Sequence, residues 1–155
     1  MESIIKQAHK RLLKNKQTIA IAESCTGGLL SSFLTQLPGS SLYFMLGVVT
    51  YSNKAKQSIL KIPPKAIREN GAVSRKIAIL MSQSVRKLAK TDFGIGITGI
   101  AGPTGATPNK PVGTVFISIT KNNKTICKKF LFQGNRATVK RKTALKAITL
   151  LNKLS

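Results

Sequence analysis

The run Ala22-Glu23-Ser24-Cys25-Thr26-Gly27-Gly28 constrains this chain more than any other stretch. An apolar segment, Thr18-Ile19-Ala20-Ile21, leads into it, and an apolar-periodic one, Leu29-Leu30-Ser31-Ser32-Phe33-Leu34, leads out. It reads as strand, turn and helix. Paired glycines permit a tight turn and the close approach of a ligand, and the first N–H groups of a helix, having no partner within it, attract negative charge. Ser24 stands at the mouth of that turn. Its hydroxyl is either a nucleophile, with the helix N-terminus stabilising the anion of the transition state, or an ordinary helix cap, the commoner role of Ser24 or Thr26 in such a place.

The remaining elements follow in order. Ile4, Ile5, Ala8, Leu12 and Leu13 recur at helical spacing before the first strand, with His9 on the polar, exposed side. The helix from Gly27 stops at Leu37, ahead of Pro38-Gly39-Ser40-Ser41. Tyr43 to Tyr51 is apolar and β-rich, the composition of a central strand. Ser52-Asn53 caps a short helix from Lys54 to Leu60, and Pro63-Pro64 separates it from a second one ending at Asn70-Gly71. Ser74 caps a longer helix to Lys90, whose Ile77, Leu80, Met81, Ser84, Val85 and Leu88 share a face.

Phe93 to Thr98 is a buried strand that opens into the loop Gly99-Ile100-Ala101-Gly102-Pro103-Thr104-Gly105. Gly94-x-Gly96 precedes the turn and no helix opens after it, so neither a dinucleotide fingerprint nor a P-loop is present. Ligands of open α/β sheets gather outside the carboxyl ends of the strands, where this loop would meet the Ser24 turn. Gly113 to Thr120, a turn at Asn122-Asn123 and Thr125 to Phe132 form a hairpin, with Cys127 in its second strand. A last helix runs from Arg136 to Leu154, with Val139, Thr143, Ala147, Ile148 and Leu151 inward and Lys140, Arg141, Lys142 and Lys146 outward. The order predicts an α/β fold, a three-layer α/β/α sandwich with a mixed central sheet, in one domain over residues 1–155.

Composition narrows the chemistry. The only carboxylates are Glu2, Glu23, Glu69 and Asp92, too few for a carboxylate-rich two-metal centre, and His9 is the sole histidine, which argues against a Ser-His-Asp triad. Cys25 and Cys127 have neither a disulfide framework nor zinc spacing and read as free thiols. With no apolar run of spanning length and no secretory layout at Met1 to Lys6, the expected location is cytoplasmic. The net charge of +22, from 26 Lys+Arg against 4 Asp+Glu, marks either nucleic-acid binding or a lysine bias spread over solvated faces. Basic residues recur through the helices and the hairpin without a long block or an aromatic RNA-binding motif, which favours the diffuse reading.

A serine without histidine can be activated by a lysine that is neutral part of the time, as burial makes it. Lys56, on the first turns of a short helix after a strand, can point back over the strand end toward Ser24, although spacing alone does not select it from so many lysines. Arg136 at a helix start opposes the dipole, so it either meets an anion or is simply a surface residue.

Six ordered motifs carry a resemblance: Ala22-Glu23-Ser24-Cys25-Thr26-Gly27-Gly28, Pro38-Gly39-Ser40-Ser41, Val49-Thr50-Tyr51-Ser52-Asn53-x-x-Lys56, Gly71-Ala72-Val73-Ser74, Thr98-Gly99-Ile100-Ala101-Gly102-Pro103-x-Gly105 and Lys110-Pro111-Val112-Gly113-Thr114-Val115. From about Ile4 to Leu151 the chain resembles the CinA C-terminal domain family, and within it the stand-alone nicotinamide-nucleotide amidases, or nicotinamide mononucleotide deamidases. The resemblance implies hydrolysis of nicotinamide mononucleotide to nicotinic acid mononucleotide and ammonia in pyridine-nucleotide salvage, with no metal and no cofactor.

By motif match it implies Ser24 as nucleophile, Lys56 as general base and Tyr51 orienting or relaying a proton. Substrate-binding roles fall on Ser41, Thr26, Gly27, Thr98 and Gly99, with Arg136 on the phosphate. Backbone N–H groups near Cys25 to Gly28 are the oxyanion candidates. Cys25 is the rival nucleophile, expected to point away from Ser24 as a small packed residue. The expected partner is the small-molecule substrate, with a homodimer built on exposed apolar residues of the hairpin or last helix. The alternatives are a non-catalytic nucleotide-binding regulatory domain and a basic nucleic-acid-binding module, the latter marked by steep salt dependence.

Overall fold

The computed structural model describes residues 2–155, with the side chain of Glu2 outside the described residues. The elements are α1 (Glu2–Asn15), β1 (Ile19–Glu23), α2 (Leu29–Thr35), a 3-10 turn (Ser40–Leu42), β2 (Phe44–Val49), α3 (Asn53–Leu60), α4 (Pro64–Asn70), α5 (Arg75–Ala89), β3 (Phe93–Gly99), β4 (Thr114–Lys121), β5 (Lys124–Leu131) and α6 (Arg136–Asn152). They form a mixed five-stranded sheet in the order β2-β1-β3-β4-β5, with β2, β1 and β3 parallel and β4 and β5 antiparallel to their neighbours.

Strand alternation divides the core into two layers. Ile19 and Ile21 of β1 and Phe93, Ile95 and Ile97 of β3 pack with Ile5, Ala8 and Leu12 of α1, Leu30, Phe33 and Leu34 of α2, and the inner face of α6. On the opposite side, Ala20 and Ala22 pack with Leu60, Ile62, Ile67 and the α5 residues Ile77, Met81 and Val85. The sheet is small-residued on that second face because α5 lies directly on it. A Cβ at Gly94 would fall 2.1 Å from the Ser82 carbonyl oxygen, and one at Gly96 would fall 2.4 Å from that of Ala78. The glycine pair therefore serves helix packing.

Two expectations are corrected. The apolar run Tyr43 to Tyr51 yields β2 at the edge of the sheet, not in its centre. Its side chains alternate between half-buried and exposed, since no strand lies beyond it and the two helical layers thin out there. The α5 face is rotated as well: Ala78 and Ser82 are buried where the spacing predicts Ser84 and Leu88, and Leu88 is exposed, because small side chains are what fit against glycine. His9 is half-buried, with Nδ1 3.1 Å from the Tyr43 hydroxyl, which itself donates to the Leu34 carbonyl at 2.6 Å. Among the described residues no helix is long and apolar enough to cross a membrane.

The three parallel strands end together, with Glu23 beside Val49 and Ile97. Their exits, Ser24, Thr50-Tyr51 and the loop after Gly99, thus converge at one end of the sheet.

Candidate active site

The alternation of β1 sorts the residues of the first turn. Glu23 continues the parity of Ile19 and Ile21 and faces the α2 layer, Ser24 continues that of Ala20 and Ala22 toward the α3 layer, and Cys25 returns to the first core. Glu23 is fully buried. Its carboxylate accepts hydrogen bonds from the backbone N–H groups of Gly28 (3.1 Å), Leu30 (3.1 Å) and Ser31 (2.8 Å), and from the hydroxyls of Thr26 and Ser31.

This corrects two expectations. The start of α2 is not open to an external anion, because the chain's own carboxylate occupies it, and Thr26 is turned down into that carboxylate. Sequence reasoning passes over Glu23, although an acid at a strand end a few residues ahead of a helix start is the signal that could find it.

Lys56 reaches Ser24 from α3. Ser52 caps that helix by accepting from the Ala55 N–H at 3.0 Å, and a helical side chain leans toward its own N-terminus. Lys56 therefore folds back over the end of β2. It is 2% exposed, and its Nζ lies 3.1 Å from Ser24 Oγ, 2.9 Å from the Thr50 carbonyl oxygen and 3.1 Å from that of Tyr51. Burial lowers its pKa below the ordinary lysine value of 10.5; a thiolate at Cys25 would act the other way. Burial also raises the Cys25 thiol to about 12, so at neutral pH that thiol is uncharged and leaves Lys56 to desolvation alone.

Ser24 and Lys56 open into a cleft of about 310 Å³, at the lower end of the range of ligand pockets. Tyr51, Thr98, Gly99 and Arg136 line it. Arg136 donates to the Tyr51 hydroxyl at 2.7 Å and to the Gly102 carbonyl at 2.8 Å, so its guanidinium straps the mouth from the first turn of α6. The Thr98 hydroxyl donates to the Ala72 carbonyl at 2.8 Å, which holds the segment before α5 over the cleft. That segment supplies Ala72 and Val73 to the lining, and Asn53, Thr104 and Gly105 complete it. Cys25 also lines the cleft, with its sulfur packed close to Gly99.

Gly27 and Ser41, both expected to bind substrate, are absent from this lining. Gly27 has φ +60 and lies beside Lys140 Nζ at the outer side of the turn. Ser41 is in the 3-10 turn before β2, at the amino end of a strand whose carboxyl end holds Tyr51, so the length of β2 separates it from the cleft. Of the described carboxylates, Asp92 accepts from the N–H and hydroxyl of Thr18 at the far end of β1, Glu69 pairs with Lys65 on the surface, and Glu23 is spent on α2. Among the described residues no group of three His, Cys, Asp or Glu could hold a metal ion.

The arrangement offers a hydroxyl, a desolvated amine in contact with it, a cation at the rim and no acid beside the amine. Among the described residues, the N–H groups of Cys25 and Thr26, which follow the serine, make no backbone hydrogen bond to another residue. Such a site suits nucleophilic attack on an electrophilic carbon with a developing oxyanion.

The chain matches the CinA C-terminal domain over residues 1–155. It is 47% identical over 143 residues to the CinA-like protein of Syntrophus aciditrophicus, covering 92% of this chain and 34% of that protein. With the CinA-like protein of Thermotoga neapolitana the identity is 46% over 144 residues, covering 92% and 35%. The chain thus spans about a third of the length of the curated relatives it matches.

Solved structures agree on the fold. The competence/damage inducible protein CihA from Agrobacterium tumefaciens superposes with a TM-score of 0.96 at 31% identity, covering 99% of this chain and 94% of that one. The competence damage-inducible protein A (ComA) from Klebsiella pneumoniae superposes with a TM-score of 0.95 at 30% identity, covering 98% and 94%. With the domain matched from end to end and the sheet shared with these structures, this chain belongs to the CinA C-terminal domain family.

Proposed function

We propose that the cleft belongs to an amidohydrolase that works through Ser24 and Lys56 and converts nicotinamide mononucleotide to nicotinic acid mononucleotide and ammonia. The observation that carries the proposal is the 3.1 Å contact between Lys56 Nζ and Ser24 Oγ, with the lysine buried and no carboxylate beside it. A neutral amine has two N–H donors and one lone pair. Two carbonyl oxygens, of Thr50 and Tyr51, take the donors, and the lone pair is left for the serine proton. In the charged form Lys56 donates to Ser24 instead, and the serine hydroxyl falls back on a long 3.5 Å bond to the Tyr51 carbonyl.

The steps follow from that exchange. Ser24 Oγ attacks the carboxamide carbon as its proton passes to Lys56, and the N–H groups of Cys25 and Thr26 receive the oxyanion. Lys56 returns the proton to the departing nitrogen, ammonia leaves, and a water activated by the same amine hydrolyses the acyl-serine. Tyr51 and Arg136 hold the far end of the substrate, with the guanidinium on the phosphate in place of the Gly102 carbonyl. The choice of nicotinamide mononucleotide rests on the family resemblance and on this single rim cation.

Ammonia release from nicotinamide mononucleotide, measured in metal chelator, tests the reading. Wild type turns over, Ser24→Ala loses at least about 1,000-fold, and Arg136→Ala raises KM for the nucleotide much more than for nicotinamide riboside. Undiminished turnover by Ser24→Ala contradicts the serine mechanism, and equal effects of Arg136→Ala on both substrates remove the arginine from the phosphate.

A further inference from the structure

Lys140 is the half-buried lysine that nothing in the described chain satisfies. The other half-buried lysines among the described residues have partners: Lys110 donates to the Val73 carbonyl, Lys121 donates to the Leu154 carbonyl at 2.7 Å, and Lys146 Nζ lies 5.5 Å from the centroid of the Phe130 ring. Lys140, which the sequence pattern directs outward, is half-buried against the Ser24 turn, with Nζ 3.4 Å from where a Cβ on Gly27 would stand. Among the described residues it makes no hydrogen bond and no ion pair.

Its surroundings do not balance its charge. Residues 24–53, which comprise the Ser24 turn, α2 and β2, contain no Lys, Arg, Asp or Glu. Glu23, the acid beneath the turn, is already spent on the start of α2. Arg136 stands one helical turn ahead of Lys140 on α6, so the two cations emerge on one face, a spacing at which like charges destabilise a helix. With Leu29 and Ala137 they line a hollow of about 380 Å³ between α2 and α6. Arg136 lines the Ser24 cleft as well, so the two hollows adjoin at its side chain.

Two adjacent cations call for an anion of more than one charge. A carboxylate carries one and is matched by the arginine fork alone, whereas a phosphomonoester carries about −1.5 to −2 at neutral pH with three acceptor oxygens, enough to engage a guanidinium and an ammonium together. We infer that Lys140 and Arg136 form a phosphomonoester subsite in the hollow between α2 and α6, and that Lys140 makes the cleft selective for a phosphorylated substrate. The inference rests on the amidase reading for the other end of that substrate, which reacts at Ser24. On binding, Arg136 turns from the Gly102 carbonyl to the phosphate, and Lys140 holds the side of the phosphate away from the cleft. Leu29 and Ala137 offer no side-chain hydrogen bond, so discrimination there falls on charge.

Isothermal titration calorimetry with ribose 5-phosphate, which has the phosphate and no amide, tests this at fixed salt. Wild type is expected to bind the probe, and Lys140→Gln to bind it roughly 10-fold or more weakly, the loss of one charge-assisted hydrogen bond. Lys140→Arg is expected to stay close to wild type. Lys124→Gln removes the same charge from the exposed start of β5 and leaves binding unchanged. Lys140→Met repeats the test should Lys140→Gln lower Tm. No binding by wild type overturns the inference, as does undiminished binding by both neutral variants. An equal loss in Lys124→Gln also overturns it, by assigning the affinity to the diffuse field. Failure of the amidase reading shows separately: Lys140-dependent binding in a protein that releases no ammonia from nicotinamide mononucleotide upholds the subsite and contradicts the reaction. Ammonia release with binding indifferent to Lys140 does the reverse.

Discussion

Lys56 puts an amine where nothing acidic can balance it. Its contacts with two carbonyls and a hydroxyl only partly replace water, and with the side chain buried desolvation disfavours the charged form and holds its pKa below 10.5. The sign for stability follows. Between the folded and unfolded pKa values the unfolded chain binds the extra proton, so stability rises with pH across that window, and below it the penalty is constant. Lys56→Met removes the titration. The Tm of wild type relative to Lys56→Met is therefore expected to climb as pH rises toward 10.5 in thermal unfolding by circular dichroism; a difference that is flat or falls with pH contradicts a depressed Lys56. At this scale the sequence alone goes part of the way. The turn before two glycines points to Ser24, but only the resemblance picks Lys56 from the other lysines, because its selection depends on how α3 folds back over β2. Ser41 illustrates the converse: a motif match says nothing about which end of a strand a residue sits on.

The elements around the site are held by contacts that periodicity does not reveal. Glu23 fixes the start of α2 by accepting from three backbone N–H groups and two hydroxyls, which leaves the serine turn rigid and uncharged above it. Glu23→Gln keeps the shape but turns part of the acceptor into a donor that faces other donors. The expected loss is about 1.5–3 kcal/mol of stability, the range for hydrogen bonds to a charged group, read from urea unfolding; an unchanged midpoint contradicts the cap. The sequence signals for the caps at Ser52 and Ser74 are local, and both residues accept from the N–H three positions on. Two features escape the sequence for a common reason. The glycines of β3 and the small face of α5 acquire meaning only when placed against each other, and a purely apolar run such as β2 does not say whether a strand lies beyond it.

For the whole molecule, the excess charge is dispersed over helices and hairpin and spares one sector. The fold class and layer order are readable from the alternation of strand and helix patterns, whereas the neutral sector is visible only once α2 and β2 are known to share an edge. Self-repulsion of this charge works against the folded state and is screened by salt. Tm is accordingly expected to rise as sodium chloride is added from low ionic strength. A Tm that falls with salt would mean that the surface is dominated by attractive pairs, against the shortage of acids.

In the proposed reaction Lys56 acts as a base, not as a fixed positive charge. The pH dependence of kcat/KM for nicotinamide mononucleotide, measured for wild type and Lys56→Arg, separates the two roles, since arginine retains the charge and does not deprotonate. Wild-type activity is expected to rise with pH through a midpoint below 10.5, and Lys56→Arg is expected to be inactive at every pH. Substantial turnover by Lys56→Arg, or a wild-type rate that falls as pH rises through that limb, would contradict it.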